Sequence, residues 1–319
     1  MCGIVGYVGK ENAASILIDG LSKLEYRGYD SAGIAVLDDS QENKEIEVIK
    51  AKGRLQALRE MTDNGRAVKG CCGIGHTRWA THGEPSVVNA HPHVSKDRKI
   101  AVVHNGIIEN YKEIKEYLQK KGYEFLSETD TEVIAHLLDY YYKGNPLEAI
   151  TKVLGRVRGS YALGILFQEN PGVMYAVRKD SPLIIGKSAQ GNFIASDVPA
   201  ILKYTKTVCY IDDREIAEIT ADSIRFYDVD QEELQKEFKT VEWDAKAAEK
   251  EGFEHFMLKE IYEQPKAVAD TISPRIKNGK IVIDELEMTD EDIKNVSRIQ
   301  MVACGSAYHV CVCAKYGLE

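Results

Sequence analysis

Apolar residues recur along the first 227 positions in two rhythms: short runs bounded by Gly, Asn and Asp, and longer stretches returning every three or four residues. The short runs predict strands and the longer spacing predicts helices. Ile4, Val5, Tyr7 and Val8 form the first run, a buried strand in which Gly3, Gly6 and Gly9 allow other backbone to approach closely. Asn12 then caps a helix with Ala13, Ile16, Leu17, Leu21 and Leu24 on one stripe. Strands are predicted at 32–37, 46–51 and 73–79. The run at 99–103 is continuously apolar, hence buried on both faces, and delivers His104, Asn105 and Gly106 at its end. Two helices follow, one capped by an Asn110/Glu113 box and stopped at Gly122, the other opened by a Thr129/Glu132 box with Asp130 in its first turn.

From 159 to 227 the pattern changes to seven short strands, at 161–167, 173–177, 183–186, 193–196, 207–211, 215–219 and 223–227. Such spacing indicates sheets packed face to face, and with the helices the sum is an α+β sandwich of sheets covered by helices. Residues 228–252 are dense in Asp, Glu and Lys and read as a linker. A helical unit interrupted at Pro265 comes next, then a strand at 298–303 running into Cys304, Gly305, Ser306 and a further helix. A strand, a glycine turn and a helix N-terminus form an anion site, which makes Gly305 and Ser306 candidate phosphate-binding residues. The domains expected are therefore 1–227, a linker at 228–252, and 253–319.

Length and charge narrow the class. With 319 residues, about two domains are expected, and 44% hydrophobic with 29% charged residues describes an ordinary soluble globular protein. A net charge of -9 argues against a broad basic face for nucleic acid. Neither a membrane-spanning apolar run nor an export leader is visible. Seven cysteines without a C-x-x-C pair fit a reducing cytoplasm better than a disulfide framework, with Cys71, Cys72, Cys311 and Cys313 as buried structural thiols.

The candidate chemistry begins at Cys2. Trimming of Met1 would leave a thiol and a free α-amine on one residue, a nucleophile with its own base. The amine has a pKa of roughly 8 and the thiol roughly 8.5, so the one can take the proton of the other near neutral pH. The loop His76–Gly83, reading HTRWATHG, packs two histidines, an arginine, a tryptophan and two threonines into eight positions, a density that packing alone does not require. His76, His82, His91, His93 and His104 invite a zinc reading, but no helix pair or paired-cysteine spacing supports one, so neither metal nor cofactor is expected.

CGIVG at 2–6, LEYRGYDSAG at 24–33, HTRWATHG at 76–83, HNGIIENY at 104–111 and TDTE at 129–132 together resemble the glutaminase domain of the class II amidotransferases. HFMLKEIYEQP at 255–265 narrows the resemblance to the glucosamine-fructose-6-phosphate aminotransferase (isomerizing) family. That resemblance implies a four-layer αββα N-terminal-nucleophile sandwich joined to an incomplete flavodoxin-like α/β sugar-isomerase segment. It implies a glutaminase in which Cys2 attacks the side-chain amide of L-glutamine, with the Asn105 side chain and the Gly106 N–H as oxyanion hole. Arg78, helped by Thr81, would hold the substrate α-carboxylate and Asp130 its α-ammonium. Trp79 and His82 would lie in the loop that closes over glutamine, and Arg27 beside the nucleophile. Ammonia would pass to fructose 6-phosphate in a complete, homodimeric chain, and no nucleic acid or membrane partner is implied. The family reads ACGTSYH where this chain has ACGSAYH at 303–309, so a phosphate-contacting hydroxyl expected at Ala307 is missing. Its isomerase residues would lie beyond Glu319, so the chain is expected to be truncated, and about 65 residues after the linker are too few for a stable α/β domain. The alternatives are the glutaminase of another amidotransferase, such as one acting on phosphoribosyl pyrophosphate, and a catalytically silent sugar-phosphate-binding fragment.

Overall fold

Ile4 and Val5 are neighbours on one strand, yet they belong to different hydrophobic cores, as do Ile34 and Ala35, and Val102 and Val103. Successive side chains of a strand point to opposite faces. An unbroken apolar run therefore means that both faces are covered, and this alternation explains the architecture. The computed structural model describes residues 2–38, 45–242, 252–283, 286 and 288–319. It divides into two units, Met1–Glu249 and Lys250–Glu319.

The first unit holds two sheets. One comprises β1 (Gly3–Gly9), β2 (Ser31–Leu37), β3 (Ile46–Lys52), β4 (Cys72–Arg78), β9 (Ile184–Lys187), β10 (Gly191–Ala195), β11 (Thr207–Tyr210) and β15 (Lys239–Thr240). The other comprises β5 (His93–Val94), β6 (Ile100–Ile108), β7 (Gly159–Phe167), β8 (Met174–Lys179), β12 (Ile216–Ile219), β13 (Ile224–Tyr227) and β14 (Glu233–Leu234). Their orders are β15-β11-β9-β10-β1-β4-β2-β3 and β14-β13-β12-β8-β7-β6-β5.

Helix α1 (Ala13–Ser22) and helix α2 (Leu55–Met61) cover the outer face of the first sheet through Leu17, Leu21, Leu55 and Leu58. On the second sheet, α3 (Tyr111–Gln119), α4 (Glu132–Tyr141) and α5 (Pro146–Leu154) contribute Ile114, Leu118, Leu137 and Ile150. Between the sheets lies a third core of Ile4, Val8, Ile74, Val103, Leu166 and Ile194. The layers are thus αββα. β1 sits mid-sheet, paired on one side with β4 and on the other with β10, nearly 190 residues away in the chain. Ile4, Val5 and Tyr7 are fully buried, each contributing roughly 1.5–3 kcal/mol, so the start of the chain is anchored and not frayed.

Several local expectations are corrected. β6 does not end before His104 but continues through Asn105 and Gly106 to Ile108. Neither expected capping box forms. Asn110 stands at the head of α3, yet its side chain bonds Arg156 O and Arg158 N across a turn. Glu132 reaches back to the Leu126 and Ser127 N–H groups and the Ser127 hydroxyl, while Asp130 lies ahead of α4 and not within it. The expected linker contributes β14 and β15, each paired to a sheet, so the first unit runs past residue 227. Its acidic residues mark solvent-facing edge strands, and its remaining part, 243–251, falls outside the described residues.

In the second unit α6 (Phe256–Ile272) runs through Pro265 without a break, because losing one backbone donor mid-helix leaves complete turns on either side. The expected strand at 298–303 is unpaired, and Val302 is 97% exposed. A strand needs a neighbour for its N–H and C=O groups, and among the described residues of this unit the one ladder is β16 (Ile276–Lys277) with β17 (Lys280–Ile281). The described residues of this unit show three α-helices, α6, α7 (Asp290–Lys294) and α8 (Gly305–Leu318), beside that hairpin. Cys313 is exposed and Cys311 half-buried, so neither is the buried thiol expected. No helix among the described residues is long and apolar enough to cross a membrane.

Candidate active site

Strand parity builds the site. On β1 Ile4 and Val8 face the gap between the sheets, so Cys2 shares their side. On β4 Ile74 does the same, which places His76 and Arg78 in the gap, and on β6 Ala101 and Val103 bring Asn105 there. Pairing sets the depth: Gly3 lies opposite Thr77 and Ser31 opposite Arg78, so the ends of three strands meet at one edge of the gap. There the apolar filling gives way to a cavity of about 430 Å³. Cys2, Arg27, Arg78, Trp79, Thr81 and His82 line it, together with Asn105, Gly106 and Asp130 from the other side.

Cys2 Sγ accepts a hydrogen bond from the Trp79 N–H at 3.2 Å and lies 3.5 Å from the Trp79 carbonyl oxygen. Burial pushes the thiol up from its ordinary range, while the Trp79 N–H, Arg78 and Arg27 pull it back. The proton must then be removed during attack, because little thiolate stands ready beforehand. From the opposite sheet Asn105 Nδ2 donates to Cys2 O at 3.2 Å. Gly106, next along β6, holds φ at +127°, and a Cβ there would clash with the Ser160 carbonyl. Only glycine fits.

Arg78 is buried at the end of β4, and its guanidinium donates to the carbonyls of His82, Gly83 (3.0 Å) and Glu84 (3.3 Å), wrapping the loop around it. Burial pulls this guanidinium down, while Cys2, Asp30 and Asp130 hold it up. Asp130 is 4% exposed and accepts the Ile108 N–H at 2.8 Å, which fixes one carboxylate oxygen at the pocket wall. Arg27, in a single 3-10 turn, pairs with Asp197 at 3.0 Å. Trp79 is 44% exposed with its ring edge-on to Tyr29, and the His82 ring stands edge-on to Tyr111. Thr81 is exposed at the rim.

Gly305 and Ser306 belong to the second unit, where they begin α8, Gly305 with φ at +62° and Ser306 exposed. Sequence reasoning overlooked the other wall, Ser160, Ser181 and Pro182, where no residue carries a chemical signature. The sequence alone assigned no role to the histidines at 76, 91, 93 and 104. His76, His91, His93 and His104 do cluster, but around the hydroxyls of Thr129 and Thr131 and the carboxamide of Asn105. Burial lowers all four, His76 to about 3, which favours neutral rings in a hydrogen-bond network.

A family model described as a glutamine amidotransferase domain matches residues 33–242. The glutamine–fructose-6-phosphate aminotransferase [isomerizing] of Clostridium acetobutylicum is 57% identical over all of this chain and 52% of its own length. That of Caldanaerobacter subterraneus is 56% identical with the same coverage, so the chain spans about half the length of the curated relatives it matches. Among solved structures, the glutamine phosphoribosylpyrophosphate amidotransferase of B. subtilis superposes with a TM-score of 0.62 at 26% identity, over 72% of this chain and 49% of that one. Its fold class is the N-terminal-nucleophile sandwich seen here. With a cysteine at the head of its central strand and the family's signature across both sheets, this chain belongs to the glutamine amidotransferase domain family.

Proposed function

We propose that this chain hydrolyses L-glutamine to glutamate and ammonia through a thioester on Cys2. The observation that carries the reading is the Asn105 carboxamide held 3.2 Å from Cys2 O, across the gap between the sheets, beside the nucleophile. Removal of Met1 frees the Cys2 amine, which takes the thiol proton as Sγ bonds to the side-chain amide carbon. Asn105 Nδ2 and the Gly106 N–H receive the developing oxyanion, one such donor lowering the barrier by roughly 3–4 kcal/mol. The amine returns the proton to the leaving nitrogen, ammonia departs, and a water deprotonated by the same amine cleaves the thioester. Arg78 and Asp130 hold the two charged ends of the amino acid, a guanidinium fork for the carboxylate and a carboxylate for the ammonium. Trp79, Thr81 and His82 supply the loop over the substrate, and Arg27 raises the positive potential at the thiol.

In the complete protein, we take the ammonia to serve amination of fructose 6-phosphate to glucosamine 6-phosphate, in a cytoplasmic homodimer. Sequence likeness over the whole chain supports this acceptor. Phosphoribosyl pyrophosphate is the alternative acceptor, supported by structural likeness over 72% of the chain alone. Anion binding by Gly305 and Ser306 would belong to this second step. We take the two functional units to be divided near 243–251.

Glutamate release by the purified chain tests the proposal. Cys2→Ala and a form retaining Met1 are each expected to release none, and 6-diazo-5-oxo-norleucine is expected to add mass to the N-terminal peptide. Undiminished hydrolysis by Cys2→Ala ends the mechanism, and failure of the analogue to label points to the silent fragment.

A further inference from the structure

His76 is completely buried on β4, two residues before Arg78, with its ring in the gap between the sheets. Its Nε2 lies 3.0 Å from Asn105 Oδ1 and 3.1 Å from the carbonyl oxygen of His104. We propose that His76 is a positioning residue for the oxyanion hole: as the Nε2–H tautomer it clamps the Asn105 carboxamide so that Nδ2 faces Cys2.

Two backbone carbonyls settle the direction of every bond in this chain of contacts. A carbonyl oxygen can only accept. At one end Cys2 O therefore requires the amide to present its NH₂, which turns Oδ1 toward His76. At the other end His104 O requires Nε2 to carry the hydrogen, which that nitrogen shares with Oδ1. Reversing the amide would set Oδ1 against Cys2 O, and moving the proton to Nδ1 would set Nε2 against two acceptors. One of the two Nδ2 hydrogens goes to Cys2 O, which leaves the second for a substrate oxyanion. The ring also stays neutral: burial holds it at about 3, so a positive charge does not compete for that oxyanion. Asn105 and Gly106 supply the donors, and His76 acts on the reaction only through Asn105.

The inference rests on the glutaminase reading above, and two kinds of measurement keep them separable. In the full chain, His76→Met removes the donor at similar volume. It is expected to lower kcat about 10- to 100-fold, short of or near the loss from deleting an oxyanion donor outright, with KM for L-glutamine within about threefold. His76→Gln, whose amide nitrogen can stand where Nε2 stood, is expected to recover most of the loss, whereas His76→Asn, one methylene shorter, is not. In an Asn105→Ala background, adding His76→Met is expected to cost less than about threefold, because the residue it acts through is gone. A full kcat in His76→Met, or an equal penalty in both backgrounds, overturns the positioning role. Equal kcat in His76→Gln and His76→Asn also overturns it, which covers a His76→Met that fails to fold. Independently of turnover, ¹⁵N NMR of the wild-type ring at pH 7 is expected to show Nε2 protonated and Nδ1 bare. The opposite tautomer sinks this inference alone, while a wild type that releases no glutamate sinks the glutaminase reading.

Discussion

A Cβ on Gly106 would stand inside the van der Waals envelope of the Ser160 carbonyl oxygen and 3.0 Å from Tyr161 Cα, its own partner in the β6–β7 ladder. The glycine proposed for the oxyanion hole is thus also a packing requirement between adjacent strands. Gly106→Ala is expected to cost about 2–3 kcal/mol, from the positive φ and the displaced strand. In a unit of this size that lowers Tm by roughly 5–10 °C, and glutamate release should fall with it even at temperatures where the variant is folded. An unchanged Tm in differential scanning calorimetry would mean that β7 moves aside freely.

Arg78 holds three loop carbonyls and faces the pocket, so under the proposed function it would tie substrate binding to the loop that follows Trp79. A lysine keeps the charge but loses the planar fork. Arg78→Lys is expected to raise KM for glutamine roughly 10- to 100-fold, the value of a charge-assisted hydrogen bond or two, with a smaller change in kcat. Initial-rate kinetics check it, and a KM within twofold of wild type would remove Arg78 from the carboxylate site.

Four histidines folded as neutral rings carry a pH signature. Burial lowers His76 to about 3 and pulls His91, His93 and His104 down as well, against an unfolded value near 6.5. Below pH 6.5 the unfolded chain takes up protons that the folded chain refuses, so stability falls as pH falls and is recovered above pH 6.5. His76 alone accounts for about 1.4 kcal/mol per pH unit between there and its folded value. Tm is therefore expected to be level from pH 7.5 to 7 and to drop steeply from 6.5 to 5. A level Tm down to pH 5 would show that these rings take up protons within the fold.

Secondary structure was legible wherever one periodicity covered a whole element. β1, β2, β10 and α1 follow the apolar rhythm because both faces of each strand, or one face of the helix, are buried. Helix starts were less legible, since a cap is a choice of partner. Asn110 and Glu132 have the right side chains at the right spacing, but the turn at Arg156–Arg158 and the Ser127 loop offer them bonds that a local pattern does not register.

The sequence by itself determined the inventory of the candidate site: a cysteine after the initiator, an arginine and tryptophan side by side, an asparagine-glycine pair after a buried run, an aspartate in a helix-opening motif. Each is a local statement about residue type and neighbours, which one stretch of chain can carry. Tertiary structure decided that these stretches meet. β1 lies between β4 and β10, and the second sheet is laid across the first so that alternate residues of three strands face one gap. That arrangement also set the His76 ring against the Asn105 carboxamide. A neutral ring at hydrogen-bond distance from a carboxamide and a carbonyl is a relationship among 76, 104 and 105, and it exists only once the two sheets have packed.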